Sequence, residues 1–170
     1  MESQDLKYAV LGCTDTPLSD GILNVCTEAG ILFNEIRFYA ESLGQLNVDA
    51  FLLVVNPENR KFEIIIAEVK DVASLGLKEY SQLMGYCLSS YSSYGLLINV
   101  NNGASKNLTD LLVLDKDLSS VTRLKHNGAS ITHEFGVFRW NTTNSRLESL
   151  ELGKIRSISE MIIRICGRLK

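Results

Sequence analysis

The sequence predicts one α/β domain built around a mixed sheet, and three observations carry that expectation. Two apolar runs, AFLLVV and FEIIIAEV, flank the polar six-residue connector NPENRK (56–61), whose Asn and Pro residues suit a turn, so 48–70 reads as a β-hairpin. LGLKEYSQLMGYCLSSY (75–91) places Tyr80, Leu83, Met84, Cys87 and Leu88 on one stripe of helical period. YGLLINVNNG then reads as a short buried strand ended by a turn, so that strand and helix alternate. A chain of 170 residues fits a single domain (1–170), with a core over about 18–101 and a strand-rich, finally helical extension over 102–170.

The remaining elements follow in order. LKYAVLGC (6–13) reads as a short first strand. TPLSDGILNVCTEAG reads as a helix with Ser19 or Asp20 as N-cap, apolar residues at Leu23, Val25 and Cys26, and Gly30 as its stop. Residues 31–40 predict a strand, because Ile, Phe and Tyr dominate just past the glycine, and ESLGQLN predicts a turn. Beyond residue 101, LLVLD, VTRLK and ITHEFGVFRW read as strand pieces with turns at HNGA and NTTN. ISEMIIRICGRLK closes the chain as an amphipathic helix with Ile158, Met161, Ile162, Ile165 and Cys166 on one face. The order becomes helix, three strands, helix, strand and a strand-rich tail around a central mixed sheet flanked by α-helices.

Composition narrows the function classes. With 45% hydrophobic and 22% charged residues the chain has the profile of a folded globular protein. It has no apolar run of transmembrane length, and MESQDLKYAVLGC carries acid before its short apolar run, so a cytoplasmic protein without a membrane partner is expected. Cys13, Cys26, Cys87 and Cys166 are scattered, without C-x-x-C or paired histidines, and read as buried thiols. G-x-S-x-G, Walker and G-x-G-x-x-G motifs are absent, which disfavours serine hydrolases, NTPases and dinucleotide enzymes. His126 and His133 have no companion at a ligand or triad spacing. The net charge of −3 does not advertise nucleic acid, but its distribution is uneven: residues 1–100 hold 6 Lys and Arg against 13 Asp and Glu, residues 101–170 hold 11 against 7. Lys106, Lys116, Arg123 and Lys125 read either as phosphate contacts or as plain surface. Tyr80, Tyr91 and Tyr94 read as core or rim aromatics.

The charged ends of the hairpin carry the chemistry. Folding the two runs about the midpoint of NPENRK sets Asp49 opposite Glu68, with side chains about 5 Å apart. Strand alternation turns Lys70 to the same side as Glu68. Two carboxylates that close repel unless a positive charge intervenes, and a divalent cation with hard oxygen ligands answers that need. Mg²⁺ acidifies a bound water and stabilises charge on phosphorus, and a neighbouring lysine orients or deprotonates the attacking water. The arrangement points to metal-assisted phosphodiester hydrolysis. The bland alternative is that acids and lysines end strands wherever strands reach solvent.

Asp49, a strand turn, Glu68-Val69-Lys70 and a helix carrying Gln82 and Tyr86 resemble the PD-(D/E)xK nuclease superfamily. E-V-K, about a dozen residues, then Q-L-x-x-Y and YGLLINVNNG are most similar to RecB-like nucleases and to the N-terminal nuclease domain of type I restriction enzyme R subunits, over roughly 18–101. The resemblance implies a restriction endonuclease-like core and a Mg²⁺-dependent deoxyribonuclease, endo or exo, with Mn²⁺ as substitute metal. Asp49 and Glu68 would bind the metal, Lys70 would be the catalytic lysine, and Gln82 and Tyr86 would match the Q-x-x-x-Y motif supporting the site and the DNA backbone. The acid that many members contribute from the first helix would be Glu28, or else Asp20. Val48 stands where many members carry Pro. DNA is the implied partner. A double-strand cut would call for a homodimer, with the apolar C-terminal helix as its contact, and any motor, helicase or methyltransferase would reside on another chain. The alternative is a non-catalytic nucleic-acid- or partner-binding module that retains the nuclease fold.

Overall fold

A computed structural model of the chain describes residues 8–13, 16–124 and 128–170, residues 8–11 and 13 by their backbone alone. Lys125, His126 and the Cys13 side chain lie outside the described residues. Seven strands form one mixed sheet: β1 (Tyr8–Cys13), β2 (Ala50–Asn56), β3 (Lys61–Lys70), β4 (Tyr94–Val100), β5 (Ser120–Leu124), β6 (Ser130–Asn141) and β7 (Arg146–Gly153). Helices α1 (Leu18–Glu28), α2 (Asn34–Ser42), α3 (Leu77–Ser90), α4 (Lys106–Leu114) and α5 (Ile158–Leu169) flank it, with a 3₁₀ turn at Lys116–Ser119.

The strands run in the order β1-β2-β3-β4-β6-β5, with β7 also paired to β6. β1, β2 and β3 are successively antiparallel, whereas β3, β4 and β6 are mutually parallel. β5 and β7 share the edge of β6 facing away from β4, β5 along 130–134 and β7 along 136–141. Because side chains alternate along a strand, the sheet has two cores. Phe51, Leu53, Ile64, Ile66, Leu97, Phe135 and Val137 face α1 to α4. Val54, Ile65, Tyr94, Leu96 and Phe138 turn the other way, under Met161, Ile165 and Leu169 of α5.

Several expectations are corrected. Residues 34–42 are helical rather than extended: Ile36 and Ala40 are buried four residues apart while Phe38 between them is 68% exposed, and a strand would have turned all three to one side. Tyr39, on this helix, donates its hydroxyl to the Ser90 carbonyl at 2.6 Å, so contacts with α3 override the strand propensity of its aromatic residues. Ser19 and Asp20 lie inside the first turn of α1, whose N-cap is Pro17, while Gly30 ends the helix region at φ 68° as expected. LLVLD belongs to α4, not to a strand. Ser105 caps this helix by accepting the Leu108 amide at 3.3 Å, and Leu108 and Leu112 are buried one turn apart. Ser105→Ala is expected to lower stability by about 1 kcal/mol, read as a fall in Tm of roughly 2–4 °C.

The apolar face of α5, expected as a dimer contact, is already buried against its own sheet. Asn56 and Asn59 of the β2–β3 turn fasten its end by donating to the Leu169 carbonyl at 3.0 and 2.7 Å. Cys26 and Cys87 are buried thiols and Cys166 is half-buried. Burial pushes the Cys26 thiol up to about 11 and the Cys87 thiol up to about 12, which keeps both neutral and inert. No described helix is long and apolar enough to cross a membrane.

Candidate functional site

The hairpin has the register its sequence suggests. β2 and β3 pair from Asn56↔Lys61 to Ala50↔Ala67, and one step further sets Asp49 beside Glu68. Phe51, Leu53, Ile64 and Ile66 mark the α1–α4 face, so by alternation Asp49, Glu68 and Lys70 stand on that same face. Lys70 joins the two acids. Its Nζ donates to Asp49 Oδ2 at 3.1 Å and forms an ion pair with Glu68 Oε1. The same Asp49 oxygen accepts the Val69 amide at 2.8 Å, which orients the carboxylate through the backbone.

Glu68 is fully buried, and neither of its oxygens has a well-aligned hydrogen-bond donor among the described residues; the Lys70 contact is one of charge rather than of direction. Burial pushes the Glu68 carboxyl above the ordinary carboxylate range, Lys70 pulls it back, and the Asp49 charge adds to the rise. For Lys70, burial acts downward, but the contacts with Glu68 and Asp49 outweigh it and leave the ammonium above the usual lysine value. The cluster therefore holds a firmly charged lysine against a carboxylate that burial disfavours.

Three neighbours brace it. Asn99, fully buried and in register with Lys70 on β4, accepts the Val72 amide at 3.2 Å and donates to the Val72 and Gly103 carbonyls at 3.0 and 3.1 Å. It thereby ties together the segments leaving β3 and β4. Asn102 adds a bond to Val72 at 3.0 Å. Glu79 accepts the Gly76 amide at 2.9 Å at the start of α3. That bond, and to a lesser extent the Lys78 and Lys70 charges, keep its carboxyl below the ordinary range, so Glu79 feels the field of the cluster. Sequence reading passed over Asn99 and Glu79. A lone Asn near the end of the apolar strand YGLLINV, and a Glu three residues into a helix after Gly, were the available signals.

Gln82 and Tyr86 share a face of α3, both half-buried, and Gln82 Nε2 donates to the Tyr86 hydroxyl at 2.7 Å. Glu28 is not brought to the acids. α1 starts at the Asp49 end of the sheet, where the Leu18 amide bonds the Leu46 carbonyl at 2.7 Å, and runs back toward the hairpin turn. There Arg60 stacks on Phe33 and faces Glu35, so the segment following Glu28 lies at the opposite end of β2, roughly 20 Å from Asp49. Asp20, in the first turn of α1, is the helix acid on the site end. Among the described residues no group of three or more His, Cys, Asp or Glu is placed to hold a metal. What the site offers is two carboxylates, one of them buried with no well-aligned donor to either oxygen among the described residues. Such hard donors fit Mg²⁺, which commonly takes one or two carboxylates and completes its shell with water and substrate oxygens.

The other candidates have structural partners. His133 is buried with Nδ1 2.6 Å from the Ser92 carbonyl oxygen. Tyr80 packs edge-on to Phe135 and donates to the Leu118 carbonyl at 2.7 Å, and Tyr94 is wholly buried. Lys106 pairs with Asp110, and Arg123 lies over the Tyr91 ring at 4.9 Å.

Comparison with family models, curated proteins and solved structures found no match for this chain. The chain is thus placed by its own features: a mixed α/β fold with a mixed sheet flanked by helices, and a two-carboxylate, one-lysine cluster where β3 ends.

Proposed function

We propose that this protein is a metal-dependent nuclease that hydrolyses DNA phosphodiester bonds on a restriction endonuclease-like core. The observation that carries the reading is the meeting of Asp49, Glu68 and Lys70 around a buried carboxylate whose oxygens have no well-aligned hydrogen-bond donor among the described residues. As pure scaffold such a buried carboxylate is compensated only in part, by a lysine that is itself partly exposed, and a dication bound to it would complete the compensation. The position supports the same reading, since the cluster lies where β3 ends, beside the carboxyl end of the parallel β4, and open α/β sheets bind ligands at that end. α3 and α4 begin after the ends of β3 and β4, so their N-termini start from the same end of the sheet, a favourable field for phosphate.

Bound Mg²⁺ would supply Lewis acidity toward phosphate and its water. Asp49 and Glu68 would hold the cation, Asp49 kept in place by the Val69 amide. Lys70 assists the attacking water and offsets charge on the phosphate, and Gln82 with Tyr86 steadies the α3 wall. A double-strand cut calls for two copies, and motor or methylation functions belong to other chains.

A second reading has its own observation. Lys70 already neutralises part of the acid pair, and Gln82 donates to Tyr86, as in a binding module that kept the fold without the chemistry. Cleavage of supercoiled, linear, single-stranded and branched DNA, in Mg²⁺, Mn²⁺ or EDTA, separates the two. The nuclease reading expects cutting by wild type with either metal, none in EDTA, and loss of cutting in Asp49→Ala and Lys70→Ala. Wild type that cuts nothing under any metal, yet binds DNA as well as Asp49→Ala does, would establish the module.

A further inference from the structure

We infer that Lys70 is the resident counter-cation of the Asp49–Glu68 pair, which a divalent cation must displace, so that metal loading and release of the lysine are a single event. This rests on the metal-dependent reading above and adds to it a gate built into the site.

The geometry makes the two cations exclusive. The Lys70 ammonium touches one oxygen from each carboxylate, which is the bridging position a dication shared by Asp49 and Glu68 would take. An ammonium and a dication on the same two oxygens would lie within contact distance of one another, and like charges that close repel strongly where water is scarce. Charge balance gives the direction of exchange. With both acids ionised, Lys70 leaves the cluster with one net negative charge, whereas a dication closes the balance.

The pocket also keeps its shape when the lysine leaves. Asp49 Oδ2 remains bonded to the Val69 amide at 2.8 Å, and Glu68 is fixed by complete burial. Lys70 has a way out, since its side chain is 25% exposed, and the start of α3 offers the Glu79 carboxylate as the next acid whose field it reaches. The ammonium that guards the site without metal becomes, once displaced, the cation free to face the scissile phosphate. Any nearby ammonium opposes the metal by charge; a lysine that occupies the site must in addition leave it when the metal binds.

Two measurements with Mn²⁺ as probe test this. Titration calorimetry is expected to show Lys70→Met binding Mn²⁺ about tenfold more tightly than wild type, with Asp49→Asn binding none at this site. Isotopic reductive methylation of the wild-type protein, read at Lys70 by peptide mass spectrometry, needs no variant to fold. Labelling of Lys70 is expected to rise several-fold at saturating Mn²⁺ and to stay flat in Asp49→Asn. If wild type binds Mn²⁺ through Asp49 while Lys70 labelling does not change, the gate is overturned and the nuclease reading stands. If wild type binds no Mn²⁺ at all, both fall together.

Discussion

Lys70→Met is expected to destabilise the fold by about 3 kcal/mol near pH 8 and by much less at pH 4, measured by urea unfolding at the two pH values. The loss is set at the lower end for a broken buried ion pair because Lys70 is 25% exposed although Glu68 is fully buried. The pH dependence follows from Glu68. Its carboxyl is raised above the ordinary range first by burial, and Lys70 is the group that holds the rise in check. Between the unfolded value, about 4.3, and the raised folded value, the native state keeps a proton that the unfolded chain has lost, so stability falls as pH rises through that window. Without Lys70 the window widens upward and the fall deepens, whereas below it the carboxyl is neutral in both states and the lysine is not missed. In the double variant Glu68→Gln with Lys70→Met, no buried charge remains, and most of the pH 8 loss should be recovered. An equal loss at pH 4 and pH 8 would show that the lysine stem, not its charge, is what the fold needs.

Gly153→Ala is expected to cost about 3 kcal/mol or more, through strain and overpacking together. Gly153 adopts φ 92°, and a Cβ there would lie 2.3 Å from the Phe135 carbonyl oxygen. That oxygen accepts two amides, Lys154 at 2.8 Å and Ile155 at 3.1 Å, so pushing it aside loosens the entry from β7 to α5 as well. The same substitution at Gly85 in α3 meets nothing within 4 Å and removes only helix-interior freedom, so Gly85→Ala should stabilise by about 0.5–1 kcal/mol. Opposite signs for one chemical change, read as urea midpoints, test the close β6–β7 approach.

The hairpin was legible in the sequence because everything that sets its register is local. NPENRK fixes the turn, Asn56 and Asn59 accept the Glu58 and Lys61 amides at 3.0 Å, and the pairing of Asp49 with Glu68 then follows by counting. α3 and α5 were legible for the same reason, since their stripes repeat along one segment. α2 was not, because the evidence for it is tertiary: Phe38 looks like a core aromatic until Ile36 and Ala40 are seen to turn it outward. LLVLD concealed the end of a helix whose cap, Ser105, lies six residues upstream of its first leucine. β7 was missed because its three leucines do not share one parity: Leu147 faces the α5 core whereas Leu150 and Leu152 face the other, so no single alternating apolar face shows in the sequence. Within the site, opposed acids could be counted onto one end of a hairpin. The choice of helix acid could not, because whether Asp20 or Glu28 lies near Asp49 depends on the direction in which α1 crosses the sheet.

The two-sided core has a bearing on how the chain is made. By the time Val100 has been synthesised, the hairpin, α3 and β4 are all present, with Asp49, Glu68 and Lys70 among them. Yet Val54, Ile65, Tyr94 and Leu96 wait for α5, whose residues 158–169 come later by some seconds at ordinary elongation rates. During that interval the nascent sheet carries its site on one side and a bare apolar surface on the other. α5 is the lid on that surface, and until it arrives the bare face of the sheet is open to any apolar contact.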